Sequence, residues 1–309
     1  MSTSNAPAGS VSEAAARPWL DLTAIAVCTL AWGTTWYAIT LQLGVVDPVI
    51  SVTYRFTLAA ALLFAWCLAR GESLALTRAQ HAAAFGVGLS TFAINYALVY
   101  LAEQWVTSAV VAIVFAAMAF MNLIGFRIAF GQRASALAWI AALLGIGGIC
   151  LLSWDEVVSA NFDTLAMTGI GLTLLGVAAS VVGNIYARRG EIAGSTIAAS
   201  TGWAMAYGAG ILALYALVTG KPWAFEFTPE YVLSLLHLSL IGSVIAFLMY
   251  YGLARRRGYA LASYISALAP LVAMVVSTVF EGKSWRVLAL GGVALVLFGQ
   301  FLLLRSKRT

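Results

Sequence analysis

The chain has 309 residues and a formal net charge of +5, yet only 9% of its residues are charged and 62% are hydrophobic. A soluble domain carries about 25% charged residues, so this composition excludes an ordinary water-soluble fold and points to a polytopic membrane protein. Cys28, Cys67 and Cys150 all lie inside apolar runs, and their odd number argues against a disulfide framework.

Residues 1–17, "MSTSNAPAGSVSEAAAR", are Ser/Ala-rich, lack periodicity and read as a disordered tail. Apolar segments follow near 20–43, 48–69, 80–101, 106–127, 134–154, 166–188, 196–219, 231–253, 260–280 and 286–304. Each approaches the ~20 residues that cross a ~30 Å hydrocarbon core. The expected fold is therefore all-α, with ten transmembrane helices. The first segment is too long for a signal-peptide core, and nine more follow it.

Lys and Arg divide unevenly between the connections. One side holds 13 of them, among them Arg70, Arg78, Arg188, Arg189 and the run Arg255-Arg256-Arg257; the other holds Lys221, Lys283 and Arg286. By the positive-inside rule the first side is cytoplasmic, which places both termini inside. The positive balance is thus a matter of topology and gives no reason to expect a nucleic-acid partner; the arginine run reads as a helix-end anchor at the lipid headgroups.

A shift of 155 residues lays Phe92, Tyr96, Leu98, Ser108 and Ala112 on Phe247, Tyr251, Leu253, Ser263 and Ala267. "GIGGICLL" at 145–152 and "LGGVALVL" at 290–297 rhyme as well. An odd-numbered repeat forces the halves into opposite orientations, so the domains expected are a five-helix repeat over 18–155 and an inverted one over 156–309.

Pro270 is the one proline inside an expected span, since Pro48 opens its helix, where a missing N–H costs nothing. Pro270 frees the Ser266 carbonyl, which must then face protein, water or a ligand. Two readings stand side by side: a packing kink satisfied by Ser266 or Ser263, or a hinge that lines a cavity. Phe115 occupies the matching place in the first half.

Intramembrane ionisable residues mark function by default, but no span carries an Asp or Glu at its centre. Arg55 reads as a structural charge and His237 as a satisfied packing residue. Glu103 and Glu281 sit at outer ends. Asn95, Asn122 and Asn184 need buried partners, and Trp32 and Trp36, like Tyr96 and Tyr100, share a helix face. Trp19, Trp105, Trp154 and Trp223 read as interfacial anchors. The candidate cavity residues are Trp32, Trp36, Asn95, Tyr96, Tyr100, Ser108, Phe115, Asn184, Trp203, Tyr207, Tyr251, Tyr264 and Ser266, with Pro270 as hinge. Uncharged aromatic walls with a few amides and hydroxyls suit a small amphipathic molecule.

"ASYISALAPLVAMVVSTVFEGKSWRVLALGGVALVLFG", "LAWGTTWYA" at 30–38 and "PVISVTYRF" at 48–56 together resemble the drug/metabolite transporter superfamily, in its EamA-type ten-helix branch. The likeness covers nearly the whole chain. Pro270, Glu281 and Gly291-Gly292 fall where that family has a helix-nine proline, a closing Glu and a Gly-rich final helix. Phe115 replaces a second proline that many members carry, and "FGQ" at 130–132 lacks the matching Glu. These departures, with the abundant aromatics, most resemble the bacterial aromatic amino-acid exporters (YddG-like). That resemblance implies a bacterial inner-membrane exporter of aromatic and other hydrophobic amino acids, working by alternating access without a cofactor. The missing central carboxylate points to transport uncoupled from ions. The alternatives are efflux of cationic or amphipathic drugs, through cation–π capture, and a non-transporting structural membrane protein. Nucleotide-sugar carriage would want buried Lys pairs, whereas all three lysines lie in loops or the tail. An enzyme would want H-E-x-x-H, G-x-S-x-G or a metal set, none of which is present.

Overall fold

The computed structural model describes residues 18–159, 164–282 and 287–305, and among these every regular element is a helix. The tail 1–17, the loop acid Asp163, Lys283, Arg286, Lys307 and Arg308 lie outside the described residues. Among the described residues, seven helical rods are long and apolar enough to cross a membrane: α1 (Pro18–Thr40), α2 (Pro48–Ala69), α3 (Arg78–Ala102), α4 (Ser108–Phe130), and, after α5 (Ala136–Ser159), α6 (Thr164–Ile192), α7 (Ile197–Val218) and α8 (Pro229–Arg257). A single turn, Tyr259–Ala262, leads into α9 (Tyr264–Phe280), and α10 is Val287–Arg305. Shorter apolar stretches run through Ala136–Gly148 of α5, through α9, and through Leu290–Gly299 of α10.

Local chemistry sets the helix starts. At α2, Asp47 Oδ1 accepts from the Val49 amide at 2.9 Å, Pro48 takes the first turn, and Asp47 Oδ2 pairs with Lys221 Nζ at 2.9 Å. α3 opens on a reciprocal box: Gln80 donates its amide to Thr77 Oγ1 at 3.3 Å while Thr77 donates its own to Gln80 Oε1 at 2.9 Å.

Three interruptions shape the interior. α3 and α8 each widen into a π-helical stretch, Gly88–Asn95 and His237–Ile245. Such stretches are rare and gather at functional sites. Each carries a glycine where a neighbour comes close: a Cβ on Gly88 would stand 2.6 Å from the Ala204 carbonyl of α7, and one on Gly242 would collide with Thr35 of α1. α4 breaks directly after Phe115, where Ala116 and Ala117 donate to Ile113 and Val114 at 3.1 and 3.0 Å, three residues back instead of four. No proline is needed there. α9, by contrast, runs unbroken through the buried Pro270.

α1 packs on α8 and α9, and α6 packs correspondingly on α3 and α4. α2 lies along α7, and α5 along α10. The α5–α10 seam is closed by small residues: a Cβ on Gly148 would stand 2.6 Å from the Gly292 carbonyl, and one on Gly299 would stand 2.7 Å from that of Ala141. Helices in lipid associate through such close backbone approach, because lipid tails are as apolar as leucine and supply no hydrophobic drive.

Candidate functional site: a central aromatic cavity

Where α1, α3, α4, α6, α8 and α9 converge they enclose an empty space of about 600 Å³, counting the part that opens outward. α1 lines it with Trp32, Thr35, Trp36 and Ile39, one face at helical spacing. The π-helical part of α3 and the turn beyond it contribute Thr91, Asn95, Tyr96 and Val99, while α4 adds Phe115 and Met118 beside its break. Ser180 and Asn184 come from α6, Phe247 and Tyr250 from α8, and Ser266 from α9. Among the described residues, none that lines the cavity is charged.

The walls are braced rings. Trp32 lies with its ring centroid 5.3 Å from those of Phe247 and Tyr250, and it donates its indole N–H to the Gly242 carbonyl at 3.1 Å. Trp36 leans on Phe115 at 5.8 Å. Tyr96 is held from behind by the fully buried Arg55, whose Cζ lies 4.5 Å from the Tyr96 ring centre and 5.2 Å from that of Phe56. Arg55 also donates from Nε to Ser243 Oγ at 3.0 Å, so the cation backs the wall and does not line it.

The polar wall groups divide into two kinds. Asn184 donates to Asn122 Oδ1 at 3.3 Å, Asn122 donates to Ser263 Oγ at 2.5 Å, and Ser263 donates to the Tyr259 carbonyl at 2.6 Å. That chain ties α6 to α4 and to the turn before α9. Asn95 Oδ1 and Thr91 Oγ1, one helical turn apart, instead lack any partner within the protein although both residues are buried. Both atoms face glycines of α6 at the edge of the cavity, Thr91 Oγ1 towards Gly183 and Asn95 Oδ1 towards Gly176, and a buried acceptor without a donor is where a ligand's donor would be held.

Of the residues expected to face a cavity, Trp32, Trp36, Asn95, Tyr96, Phe115, Asn184 and Ser266 meet here. Tyr100 is fully buried and donates to Gln42 Oε1 at 3.0 Å. Ser108 donates to both carboxylate oxygens of Glu281 at 3.1 Å. Trp203 and Tyr207 form an aromatic group with His81: Trp203 donates to the Leu74 carbonyl at 2.8 Å, and the Tyr207 hydroxyl lies 2.9 Å from His81 Nδ1. Tyr251 lines a second cavity and Tyr264 a third, between α4, α5 and α10. His237 Nε2 is 3.0 Å from Thr34 Oγ1. Sequence reasoning did not single out Thr35, Ile39, Thr91, Val99, Met118, Ser180, Phe247 or Tyr250 as cavity lining. Thr91 and Ser180 had a signal, since each stands four residues before a singled-out asparagine.

Beyond the end of α3, Glu103 is buried with both carboxyl oxygens unpartnered. Burial, reinforced by the charge of Glu281 and opposed by Arg55, holds its carboxyl well above the usual range. The folded protein therefore keeps a proton that the unfolded chain releases. The stability from this group is complete below the ordinary carboxylate value and is lost progressively as pH rises from there through the raised value of the folded state. Glu103→Gln should flatten that slope and melt at higher temperature than the wild type near neutral pH; parallel melting curves across pH would contradict this. Among the described residues no group of three His, Cys, Asp or Glu gathers that could hold a metal.

The sequence profile of the EamA-like transporter family matches this chain twice, over residues 19–154 and 167–305. The inner membrane transporter YedA of Escherichia coli K12 is 29% identical over 288 residues, which cover 88% of this chain and 89% of that one. Protein PagO of Salmonella typhimurium is 25% identical over 289 residues, 90% and 91% of the two chains. A crystal structure that covers 93% of this chain, and is itself covered to 96%, superposes with a TM-score of 0.73 at 20% identity, a likeness of fold.

Proposed function

Since the chain belongs to the EamA-like transporter family, we propose that it exports aromatic and other hydrophobic amino acids across the bacterial inner membrane by alternating access, as facilitated diffusion. The observation that carries this reading is the central cavity: aromatic on most sides, free of charged lining, with Asn95 Oδ1 and Thr91 Oγ1 left unpartnered. A flat ring stacks against Trp36 and Phe115 while an ammonium group donates to Asn95 and Thr91. An amino-acid zwitterion brings no net charge into this uncharged lining, whereas a cationic drug would want a carboxylate that the described lining lacks. Inner-membrane placement is supported by the description of the relative YedA.

The architecture that goes with this function is ten spans in two inverted five-helix repeats, with both termini cytoplasmic. Three observations support the repeat: the doubled profile match, the paired packing of α1 on α8–α9 with α6 on α3–α4, and a π-helical stretch in the third helix of each half. Pro270 serves as the hinge of one gate. Pro270→Ala should slow transport several-fold with melting temperature unchanged or slightly raised, because alanine restores a helical hydrogen bond; unaltered transport rates would remove the hinge.

The decisive experiment is uptake of labelled tryptophan into proteoliposomes, with and without imposed pH and voltage gradients. Saturable uptake that equilibrates without accumulating, and that weakens about tenfold in Asn95→Ala through loss of one hydrogen bond to a charged group, is the expected result. Accumulation driven by a gradient would overturn the uncoupled mechanism, and no uptake would overturn the amino-acid substrate.

A further inference from the structure

A second cavity, about 370 Å³ of empty space counting the part that opens outward, lies at the arginine-rich end of the bundle, between α3, α6, α7 and α8. The run 255–257 that closes α8 divides its charges. Arg256 and Arg257 turn to α1, where Asp21 takes one on each carboxylate oxygen at 3.0 and 2.5 Å. Arg255 turns the other way and lines the cavity. Its partners there are neutral: Nη1 donates to the Ser195 carbonyl at 2.6 Å and Nη2 to Ser195 Oγ at 3.4 Å. Glu191, an acid of the neighbouring α6, is bonded to Arg188 instead.

One turn before Arg255 on the same face of α8, Tyr251 also lines this cavity; the residue is buried, 5% exposed, and its hydroxyl has no partner. A guanidinium with spare N–H groups, whose nearby acid Glu191 is bonded to Arg188, lies beside an unpaired phenol and makes a donor set for an oxyanion. The remaining walls include the rings of Tyr186 and Tyr259. α8 also connects this cavity to the central one, since Phe247 and Tyr250 line the first, Tyr251 and Arg255 the second, and the Phe247 and Tyr251 rings lie 5.7 Å apart.

We propose that this second cavity is a carboxylate subsite, in which Arg255 and Tyr251 take the carboxylate of an amphipathic molecule before its ring passes to the central cavity. This rests on the amino-acid reading for the identity of the natural ligand, but the chemistry of the subsite does not. An arginine fork binds a carboxylate through two parallel hydrogen bonds, which a neutral amide of the same shape does not offer. A lipid-headgroup phosphate shares the oxyanion chemistry, and the test separates the two.

The test measures binding of indole-3-acetate and of its neutral analogue indole-3-acetamide to the purified full-length protein in uncharged detergent. The wild type should prefer the carboxylate by roughly ten- to a hundredfold, the range for a charge-assisted hydrogen bond. Arg255→Gln should abolish the preference and leave amide binding in place, and Arg255→Lys should keep part of it. Tyr251→Phe removes a hydroxyl that bonds to nothing in the protein, so it should lower carboxylate affinity several-fold with an unchanged melting temperature. A preference that survives Arg255→Gln and Tyr251→Phe overturns the proposal. So does a preference that disappears when anionic phospholipid is added, since the occupant is then a headgroup. If the preference depends on Arg255 but tryptophan is not transported, the subsite stands and the amino-acid reading falls. If tryptophan is transported and the preference ignores Arg255, the reverse holds.

Discussion

Gly33→Ala is expected to lower the melting temperature sharply and to abolish most transport. A Cβ at Gly33 would stand 2.6 Å from Val272 Cγ1 and 3.0 Å from the Ala269 carbonyl, and closer still to Val272 Cβ. Carbon atoms at rest sit about 3.5–4.0 Å apart. A Cβ and a carbonyl do not swing aside as a flexible side chain does, so α1 must lift away from α9. Overpacking of this kind costs about 1–3 kcal/mol. The functional loss has a separate cause: Trp32 and Trp36 flank Gly33 on α1 and form one wall of the cavity, while Ala269 precedes Pro270 on α9. Displacing α1 therefore moves the wall and the hinge together. Val272→Gly in the same chain removes the opposing Cβ and should recover part of the stability, a coupling that a double-mutant cycle reads directly. Wild-type melting and uptake in Gly33→Ala would show that α1 and α9 pack more loosely than these distances require.

Asn122→Leu carries the second large effect. Asn122 is 1% exposed and links Asn184 on α6 to Ser263 before α9. Leucine of similar size leaves the Asn184 amide without its acceptor, at about 1–3 kcal/mol for a buried group so orphaned. Asn184 lines the central cavity, so its freed amide turns toward the substrate and changes apparent affinity as well as stability. Replacing Asn184 in the same chain by leucine should cost less than the sum of the two single changes, because no orphan then remains. Additive losses in thermal melts would mean that the two amides act independently.

Several local features could be read from residues alone because their causes are local. Pro48 behind Asp47 opens α2, and "LAWGTTWYA" sets Trp32 and Trp36 on one face of α1. Trp19, Trp105, Trp154 and Trp223, expected as anchors, are exposed on the surface of the bundle. Other features could not be read in this way. α4 breaks after Phe115 without a proline, α3 and α8 widen to π-helix without a sequence mark, and Arg255 parts from its two neighbours. Each depends on which helix lies opposite.

What the sequence determined by itself was composition and extent: apolar runs long enough for a bilayer, the charge asymmetry between their ends, and the family. Only the tertiary structure decided which face of each helix looks inward. In water an apolar stripe marks the buried side, but in lipid the outer surface is as apolar as the core, so α1 and α7 carry almost no asymmetry that could point toward the cavity. Tyr96 and Tyr100 sit four residues apart on one helix, yet one lines the cavity and the other is sealed against Gln42. The packing of six helices around a shared space made that distinction.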